Sequence, residues 1–203
     1  MADMAAPDIA IVDGGGANIA SLVYALERLG ANGRLTAEPA DIAAASHVIL
    51  PGVGAAAAAM DKLERAALVD VIANLQQPVL GICLGMQLLC RGSAEDGAKC
   101  IGVFDAHADR LAASPDTPVP NMGWCEISVT GESPLLDGVD DGSWFYFVHS
   151  YAVPVGERTL ATASHTGQFS AVIGRDNFFA TQFHPERSSA SGARLLENFL
   201  ALG

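Results

Sequence analysis

The chain has 203 residues, half of them hydrophobic, which is enough to bury one sizeable core. Its formal charge is −12, from 23 acidic and 11 basic residues, and the lysines and arginines do not cluster as phosphate contacts require. These properties predict one globular domain over residues 1–203 and argue against a nucleic-acid partner. The acidic surplus is typical of a solvated surface.

Neither a membrane span nor a signal peptide is predicted. The longest apolar stretches are alanine-rich, broken by charges and too short to cross a bilayer, and the start MADMAAPD lacks the basic region of a signal peptide. We therefore expect a cytoplasmic protein that has no membrane partner and whose cysteines stay reduced. Those cysteines form no CxxC pair and no metal-binding spacing, so we predict neither a metal nor a cofactor: Cys83, Cys90, Cys100 and Cys125.

The first 90 residues alternate strand and helix patterns. Three short β-branched runs predict buried strands, at 9–13, 47–50 and 78–82. Apolar residues at helical spacing predict helices from Asn18 to Leu29, from about Ala55, and from Leu84 to Cys90. Because such an alternation needs crossover connections, we predict an α/β fold with a mostly parallel open sheet and helices on both faces.

From about Cys100 the pattern changes to short strands and turns. Five runs predict strands, at 126–129, 144–148, 159–164, 171–174 and 177–183. A last helix is predicted from about Ser191 to Leu200. Since no segment has the composition of a linker, we expect these antiparallel strands to extend the same sheet. The segment from Ser93 to Pro120 has no clear pattern.

The third strand leads into VLGICLGMQ (79–87), where a cysteine stands between two glycines directly before a helix. This arrangement is typical of a nucleophile elbow, in which Gly81 and Gly85 permit close backbone packing and the central residue is strained. The N–H groups that follow Cys83 can then hold an oxyanion. The alternative is that Cys83 is a small buried hydrophobic residue, as most free cysteines are.

A base for this thiol is offered by His184 in TQFHPE, at the end of the last predicted strand. If the chain stays extended through Pro185, His184 and Glu186 project to the same side, and the carboxylate can hold one imidazole nitrogen while the other faces the thiol. The alternative is a strand-end histidine with an incidental glutamate nearby. His149 in YFVHSY is the next candidate, but it has no acid at a similar spacing. We interpret the other three histidines as structural or solvent-facing: His47, His107 and His165.

The glycine pair in LPGVG (50–54) ends the second strand at the same carboxyl edge of the sheet as Cys83. Open α/β folds bind their ligands at this edge. The segment is either a plain strand-to-helix turn or the source of a backbone N–H, near Val53, for a developing oxyanion.

Three ordered motifs, PGVG (51–54), GICLGMQ (81–87) and FHPE (183–186), resemble class I glutamine amidotransferases, whose cysteine attacks the side-chain amide of glutamine. The resemblance implies that Cys83 is the nucleophile, His184 the general base and acid, and Glu186 the residue that orients His184. L-Glutamine would be cleaved to glutamate and ammonia through a γ-glutamyl thioester. The resemblance also implies which residues contact the substrate or the oxyanion: Gly52, Val53, Gly54, Leu84, Gln87, His149, Ser150 and Tyr151.

Further motifs resemble, over nearly the whole chain, the glutaminase subunits of imidazole glycerol phosphate synthases. They are DGGGAN (13–18) with Ser21, PNMGW (120–124) and YFVHSY (146–151). This resemblance implies a heterodimer with a (β/α)₈ cyclase subunit, which uses the ammonia to form imidazole glycerol phosphate and aminoimidazole carboxamide ribotide in histidine biosynthesis. It implies that the residues facing the cyclase include Asn18, Asn121, Trp124, Cys125 and Arg187.

The sequence departs from the family pattern mainly in these partner-facing segments. Gly14 and Ala17 replace a tyrosine and a glycine, Asn121 and Cys125 replace a histidine and an asparagine, and Arg187 stands where lysine is usual. The glutaminase motifs themselves are intact. The alternatives are a related glutaminase with another ammonia acceptor, such as a different phosphorylated sugar, and a binding or regulatory protein that keeps the fold without turnover.

Overall fold

The structure is a computed structural model, and it describes residues 7–14 and 19–203. The predictions made for Ala17 and Asn18 therefore lie outside the described residues. Within the described ranges, no helix is long and apolar enough to span a membrane.

The described chain contains six α-helices and fourteen strands. The helices are α1 (Ile19–Arg28), α2 (Pro39–Ala44), α3 (Ala56–Arg65), α4 (Val69–Ala73), α5 (Leu84–Leu89) and α6 (Ser189–Leu200). The strands of the first half are β1 (Asp8–Val12), β2 (Asn32–Thr36), β3 (His47–Gly52), β4 (Val79–Cys83), β5 (Cys90–Ser93) and β6 (Ala98–Lys99). Those of the second half are β7 (Phe104–Arg110), β8 (Asn121–Glu126), β9 (Ser128–Val129), β10 (Trp144–His149), β11 (Tyr151–Ala152), β12 (Thr159–Ser164), β13 (Gln168–Arg175) and β14 (Phe178–Thr181). Short 3₁₀ helices lie at Pro134–Leu136 and Pro185–Arg187.

The central sheet has eight strands in the order β2-β1-β3-β4-β14-β13-β12-β9. The pairs from β2 to β14 are parallel, and the pairs from β14 to β9 are antiparallel. The predicted fold class, a mostly parallel open sheet with antiparallel strands from the second half of the chain, is confirmed.

Both faces of the parallel part are covered by helices, as the continuous apolar strands require. Ile9 and Ile11 of β1 pack in one core with residues of α1 and α6. Ala10 and Val12, which alternate with them, pack in a second core with residues of α2 to α5. The alternation of side chains along a strand explains why one short segment serves two cores.

The prediction that all the antiparallel strands extend one sheet is wrong for several of them. Of the second-half strands, β14, β13, β12 and β9 join the central sheet, while β10 and β8 form a separate two-stranded ribbon and β11 and β7 form a four-stranded sheet with β5 and β6. The strand predicted at 126–129 is divided between two sheets, because Glu126 pairs with Trp144 and Ser128 pairs with Thr162. A local pattern indicates an extended segment but carries no information about its partner.

Several boundaries also differ from the prediction. The edge strand β2 went unpredicted because its sequence, NGRLT, has few β-branched residues and is largely exposed. Helix α5 ends at Leu89, and Cys90 already begins β5. Helix α6 begins at Ser189, two residues before the predicted start.

Candidate active site

Cys83 lies where β4 passes directly into α5, with its side chain mostly buried. Its backbone has φ 55° and ψ −106°, a strained conformation for a residue with a side chain, which costs on the order of 1–3 kcal/mol. The predicted close packing of the two glycines is also present. A Cβ on Gly85 would overlap the carbonyl oxygen of Leu50, and a Cβ on Gly81 would lie 2.9 Å from the Gly85 carbonyl carbon. Neighbouring strands and helix therefore hold the elbow in place.

His184 and Glu186 are joined by a hydrogen bond of 2.8 Å between Nδ1 and Oε1, and both side chains are buried. The expected extended path through Pro185 is wrong, since Pro185–Arg187 forms a 3₁₀ helix. Proline suits the first turn of a helix because its φ is already helical and it has no N–H to satisfy there. The turn brings Glu186 back to His184, so the pair forms by a different backbone route.

The backbone of His184 is anchored to β10. Its N–H donates to the Tyr146 carbonyl at 3.0 Å, and the Ser188 hydroxyl donates to the His184 carbonyl at 2.6 Å. The same hydroxyl accepts from the Tyr146 N–H at 3.0 Å. These bonds hold the backbone of His184 at both its N–H and its carbonyl, and they thereby fix the position from which the imidazole extends.

The charge state of His184 is set by opposing effects. Burial by itself lowers the pKa of His184, but the interactions with Cys83 and Glu186 outweigh it and raise the pKa to about 10. Among the described residues Nε2 has no hydrogen-bond partner of ordinary geometry, which leaves this nitrogen available to Cys83. A histidine with this pKa holds a proton at neutral pH and can deliver it to a leaving group.

A cavity of about 340 Å³ opens beside the Cys83 sulfur. Seven of the eight residues predicted to contact substrate or oxyanion line it: Val53, Gly54, Leu84, Gln87, His149, Ser150 and Tyr151. The eighth, Gly52, is paired with Cys83 between β3 and β4, and a Cβ there would lie 2.9 Å from the Cβ of Leu84. Residues from three separate motifs, PGVG, GICLGMQ and YFVHSY, thus meet at one edge of the sheet.

His149 is not placed to act as a base, because both of its ring nitrogens are engaged. Nδ1 donates to the Tyr151 carbonyl at 2.9 Å, and Nε2 accepts from Asn121 Nδ2 at 3.0 Å. Burial, helped by the nearby His165 and His184 and opposed by the bond to Tyr151, lowers the pKa of His149 to about 4. A neutral His149 therefore holds the Tyr151 carbonyl at the cavity wall.

Sequence reasoning missed two polar residues near the cysteine. Glu95 lines the cavity, and its Oε2 accepts from the Ala56 N–H at 2.8 Å, at the start of α3. It comes from the segment that had no clear pattern, so no signal pointed to it. Gln182 is fully buried, and its Nε2 donates to Cys83 Sγ at 3.9 Å. It lies within the TQFHPE motif, in which only His184 and Glu186 are predicted to act.

Of the residues predicted to face a partner, Trp124 lies on the exposed face of the β8–β10 ribbon, Asn121 and Cys125 lie on its inner face, and Arg187 lies in the 3₁₀ helix beside it. Trp124 is 47% exposed and Arg187 is exposed, with the guanidinium carbon 4.4 Å from the centre of the Tyr146 ring. Asn121 does not fit the prediction, since it is only 3% exposed. Its side chain points to the inner face of β8, where its Oδ1 accepts from the half-buried Cys125 thiol at 3.6 Å.

The remaining histidines lie away from the cavity. His47 is buried, and its Nε2 lies 2.9 Å from the Leu202 carbonyl oxygen. His107 Nδ1 lies 3.0 Å from an Asp109 carboxylate oxygen, and His165 Nε2 lies 2.7 Å from the Pro118 carbonyl oxygen. The interpretation of all three as structural or solvent-facing agrees with these contacts.

A thiol on a strained elbow, beside a buried histidine–glutamate pair at the carboxyl edge of an open parallel sheet, defines a thiol-dependent acyl-transfer site. The sequence model of the family "Glutamine amidotransferase class-I" matches residues 10–202. The chain belongs to this family.

Relatives of similar length support the assignment. The chain is 46% identical to "Imidazole glycerol phosphate synthase subunit HisH" of Shewanella loihica, over 98% of this chain and 92% of that protein. It is 44% identical to the protein of the same name from Vibrio cholerae, over 96% of this chain and 98% of that protein. Among solved structures, the fold matches "Crystal structure of glutamine amidotransferase" with a TM-score of 0.75 at 18% identity, over 95% of this chain and 97% of the other.

Proposed function

We propose that this chain is the glutaminase subunit of an imidazole glycerol phosphate synthase and supplies ammonia to a cyclase subunit in histidine biosynthesis. The observation that carries the proposal is the meeting of Cys83 with the hydrogen-bonded pair of His184 and Glu186 beside a cavity. The names of the relatives, which match along nearly the whole chain, support the choice of synthase. In this proposal residues 1–203 act as one amidotransferase domain.

In the proposed reaction, the Cys83 sulfur attacks the side-chain carbonyl carbon of glutamine. The N–H groups near Leu84 and Val53 are proposed to hold the negative oxygen that develops. The C–N bond then breaks, ammonia leaves with a proton from His184, and a γ-glutamyl thioester remains on Cys83. Water attacks the thioester after giving a proton to His184, and glutamate leaves. The balance is glutamine and water to glutamate and ammonia.

The cavity suits an amino acid as the substrate. Glu95 is the acidic side chain that lines it, and Ser93 lies behind, donating to Gln87 Oε1 at 3.0 Å. We propose that Glu95 carries the negative charge that binds the α-ammonium group of glutamine. We expect Glu95→Gln to raise the KM for glutamine with little change in kcat, and an unchanged KM would contradict this role.

The outer face of the β8–β10 ribbon is the proposed cyclase surface. The exposed side chains on this face include Met122, Trp124 and Trp144, which are 64%, 47% and 52% exposed. Val148 of the same ribbon lines the cavity, and its carbonyl lies 3.7 Å from Cys83 Sγ. A partner docked on this apolar face would therefore lie next to the site at which ammonia forms.

The departures from the family pattern do not favour a different ammonia acceptor. Asn121 and Cys125 lie on the inner side of the ribbon and bond to each other, and Asn121 also bonds to His149. Their replacement changes internal packing more than the exposed face. Arg187 keeps a positive charge at its position.

The experiment is glutamate formation from glutamine by the purified chain, with and without the (β/α)₈ cyclase subunit of the same organism. We expect the partner to raise the turnover number strongly. The Cys83→Ala variant, assayed with the same partner, gives the rate of glutamate formation that does not depend on the nucleophile. A full rate without the partner, and no response to it, would contradict the subunit assignment. Recovery of another synthase subunit by copurification from the native host would instead identify a different acceptor.

A further inference from the structure

Gln182 lies beside Cys83, at the ends of two neighbouring strands of the central sheet. Strand β14 runs parallel to β4 and pairs its last residue, Thr181, with Ile82, so Gln182 follows directly after β14 at the level of Cys83, the last residue of β4. The Gln182 side chain has no solvent exposure, and its backbone N–H donates to the Ala171 carbonyl at 2.9 Å. Its amide is therefore held at the nucleophile by the sheet itself.

Within the described residues, the Gln182 side chain makes a single hydrogen bond, from Nε2 to Cys83 Sγ at 3.9 Å. Its Oε1 is buried without a partner. A buried carbonyl that makes no hydrogen bond costs free energy, and an apolar side chain of the same shape would avoid this cost. The amide thus occupies a position that packing alone disfavours, which points to a use for its N–H group.

The two neighbours of the sulfur act on different charge states. The Val148 carbonyl, 3.7 Å from Sγ, can only accept a hydrogen bond, so it interacts with the neutral thiol. The Gln182 N–H can only donate, and hydrogen bonds to a charged acceptor are the stronger ones. A donor at this position therefore interacts more strongly with a sulfur anion than with a neutral sulfur.

We propose that Gln182 is a catalytic residue of this site, whose side-chain N–H donates to the Cys83 thiolate and keeps the nucleophile charged and oriented alongside His184. The inference rests on the proposed function for its effect on turnover. The charge state of Cys83, however, is measurable without glutamine and without a partner subunit.

The test is the pH dependence of Cys83 alkylation by iodoacetamide in the isolated chain, followed by mass spectrometry of the Cys83 peptide. Only the thiolate reacts, so the pH midpoint of the rate reports the charged form. We expect the midpoint to rise in Gln182→Met, which keeps the length and removes the donor, and to rise further in Gln182→Glu, which adds a like charge. Glutaminase kcat should fall about tenfold in Gln182→Met.

Thr181→Val is the matched control, because it alters the preceding buried residue of β14, whose hydroxyl donates to the Phe183 carbonyl at 3.0 Å and not to the sulfur. We expect its alkylation midpoint to equal that of the parent chain. The proposal is overturned if both Gln182 variants keep the parent midpoint, or if Thr181→Val moves it as far as Gln182→Met does. Shifted midpoints in a chain that releases no ammonia would instead contradict the proposed function alone.

Discussion

The cysteine elbow and the β8–β10 ribbon contribute to the same cavity but are built in opposite ways. Every residue of β4 and α5 is buried. At the turn between them, Gly85 packs directly against the backbone of Leu50, and Gly81 packs against the backbone of Gly85. The ribbon alternates, with an inner face that includes Phe145 and Phe147 in the core and an outer face that exposes Trp124. The elbow positions chemical groups through packing on all sides, whereas the ribbon separates core packing from an exposed surface by strand alternation.

Substitutions in the two regions should therefore have different effects on activity, folding and the response to a partner. A change in the elbow should remove the chemistry or the fold. A change on the outer face of the ribbon should leave both and alter only the response to a partner. A change on the inner face, where His149 and Asn121 meet, should affect stability.

The largest effect is expected at the elbow thiol. Cys83→Ala removes the proposed nucleophile, so we expect partner-stimulated glutamate formation to fall at least a thousandfold while the circular dichroism spectrum stays unchanged. Cys100→Ala is the control, since burial raises the pKa of that thiol to about 11 and it lies outside the cavity. Full activity of Cys83→Ala would remove the basis of the proposed mechanism.

The next effect concerns the packing of the elbow. Gly85→Ala would force a Cβ into the Leu50 carbonyl, so we expect a loss of about 3 kcal/mol or more in the free energy of unfolding, measured by urea denaturation. Gly156→Ala, where a Cβ meets no atom within 4 Å, should change it by less than about 0.5 kcal/mol. Similar stability of the two variants would show that the elbow is not tightly packed.

The contribution of His149, on the inner face of the ribbon, to the free energy of unfolding should depend on pH. Because the pKa of His149 falls from 6.5 to about 4 on folding, the unfolded chain binds more protons between these values, and stability is lost as the pH falls through this window. The loss from this residue is on the order of 3 kcal/mol. We expect urea midpoints of His149→Gln to fall less steeply below pH 6.5 than those of the parent, with exposed His107→Gln as the control. Parallel curves for His149→Gln and the parent would exclude this contribution.

The smallest effect is expected on the outer face of the ribbon. Trp124→Ala should weaken binding of the cyclase subunit about thirtyfold, as loss of an aromatic anchor does, while the stability of the free chain changes little. Isothermal titration with the partner measures this affinity. Leu35→Ala, a 45% exposed apolar residue on the edge strand β2, should bind like the parent chain. Equal weakening by both substitutions would mean that the ribbon is not the docking surface.

Much of the site was predictable because its motifs are local. The Gly-x-Cys-x-Gly junction specifies its own turn, and the His184–Glu186 pair spans three residues, so neighbours in the chain are neighbours in space. The pair was predicted from an extended backbone and forms from a 3₁₀ turn instead, because a two-residue separation allows contact by either path. The contact of Gln182 with Cys83 and the position of Glu95 in the cavity wall could not be predicted, since each depends on how strands and loops pack against one another.

By itself, the sequence determined the α/β class, the parallel order of strand and helix in the first half, and the residues of the elbow, because hydrophobic periodicity and glycine placement act over a few residues. Only the tertiary structure decided which antiparallel strands leave the central sheet, and it turned Asn121 inward and brought Glu95 to the cavity wall. The physical reason is that strand partners and cavity walls depend on contacts between segments distant in the chain, whose energies no local pattern contains.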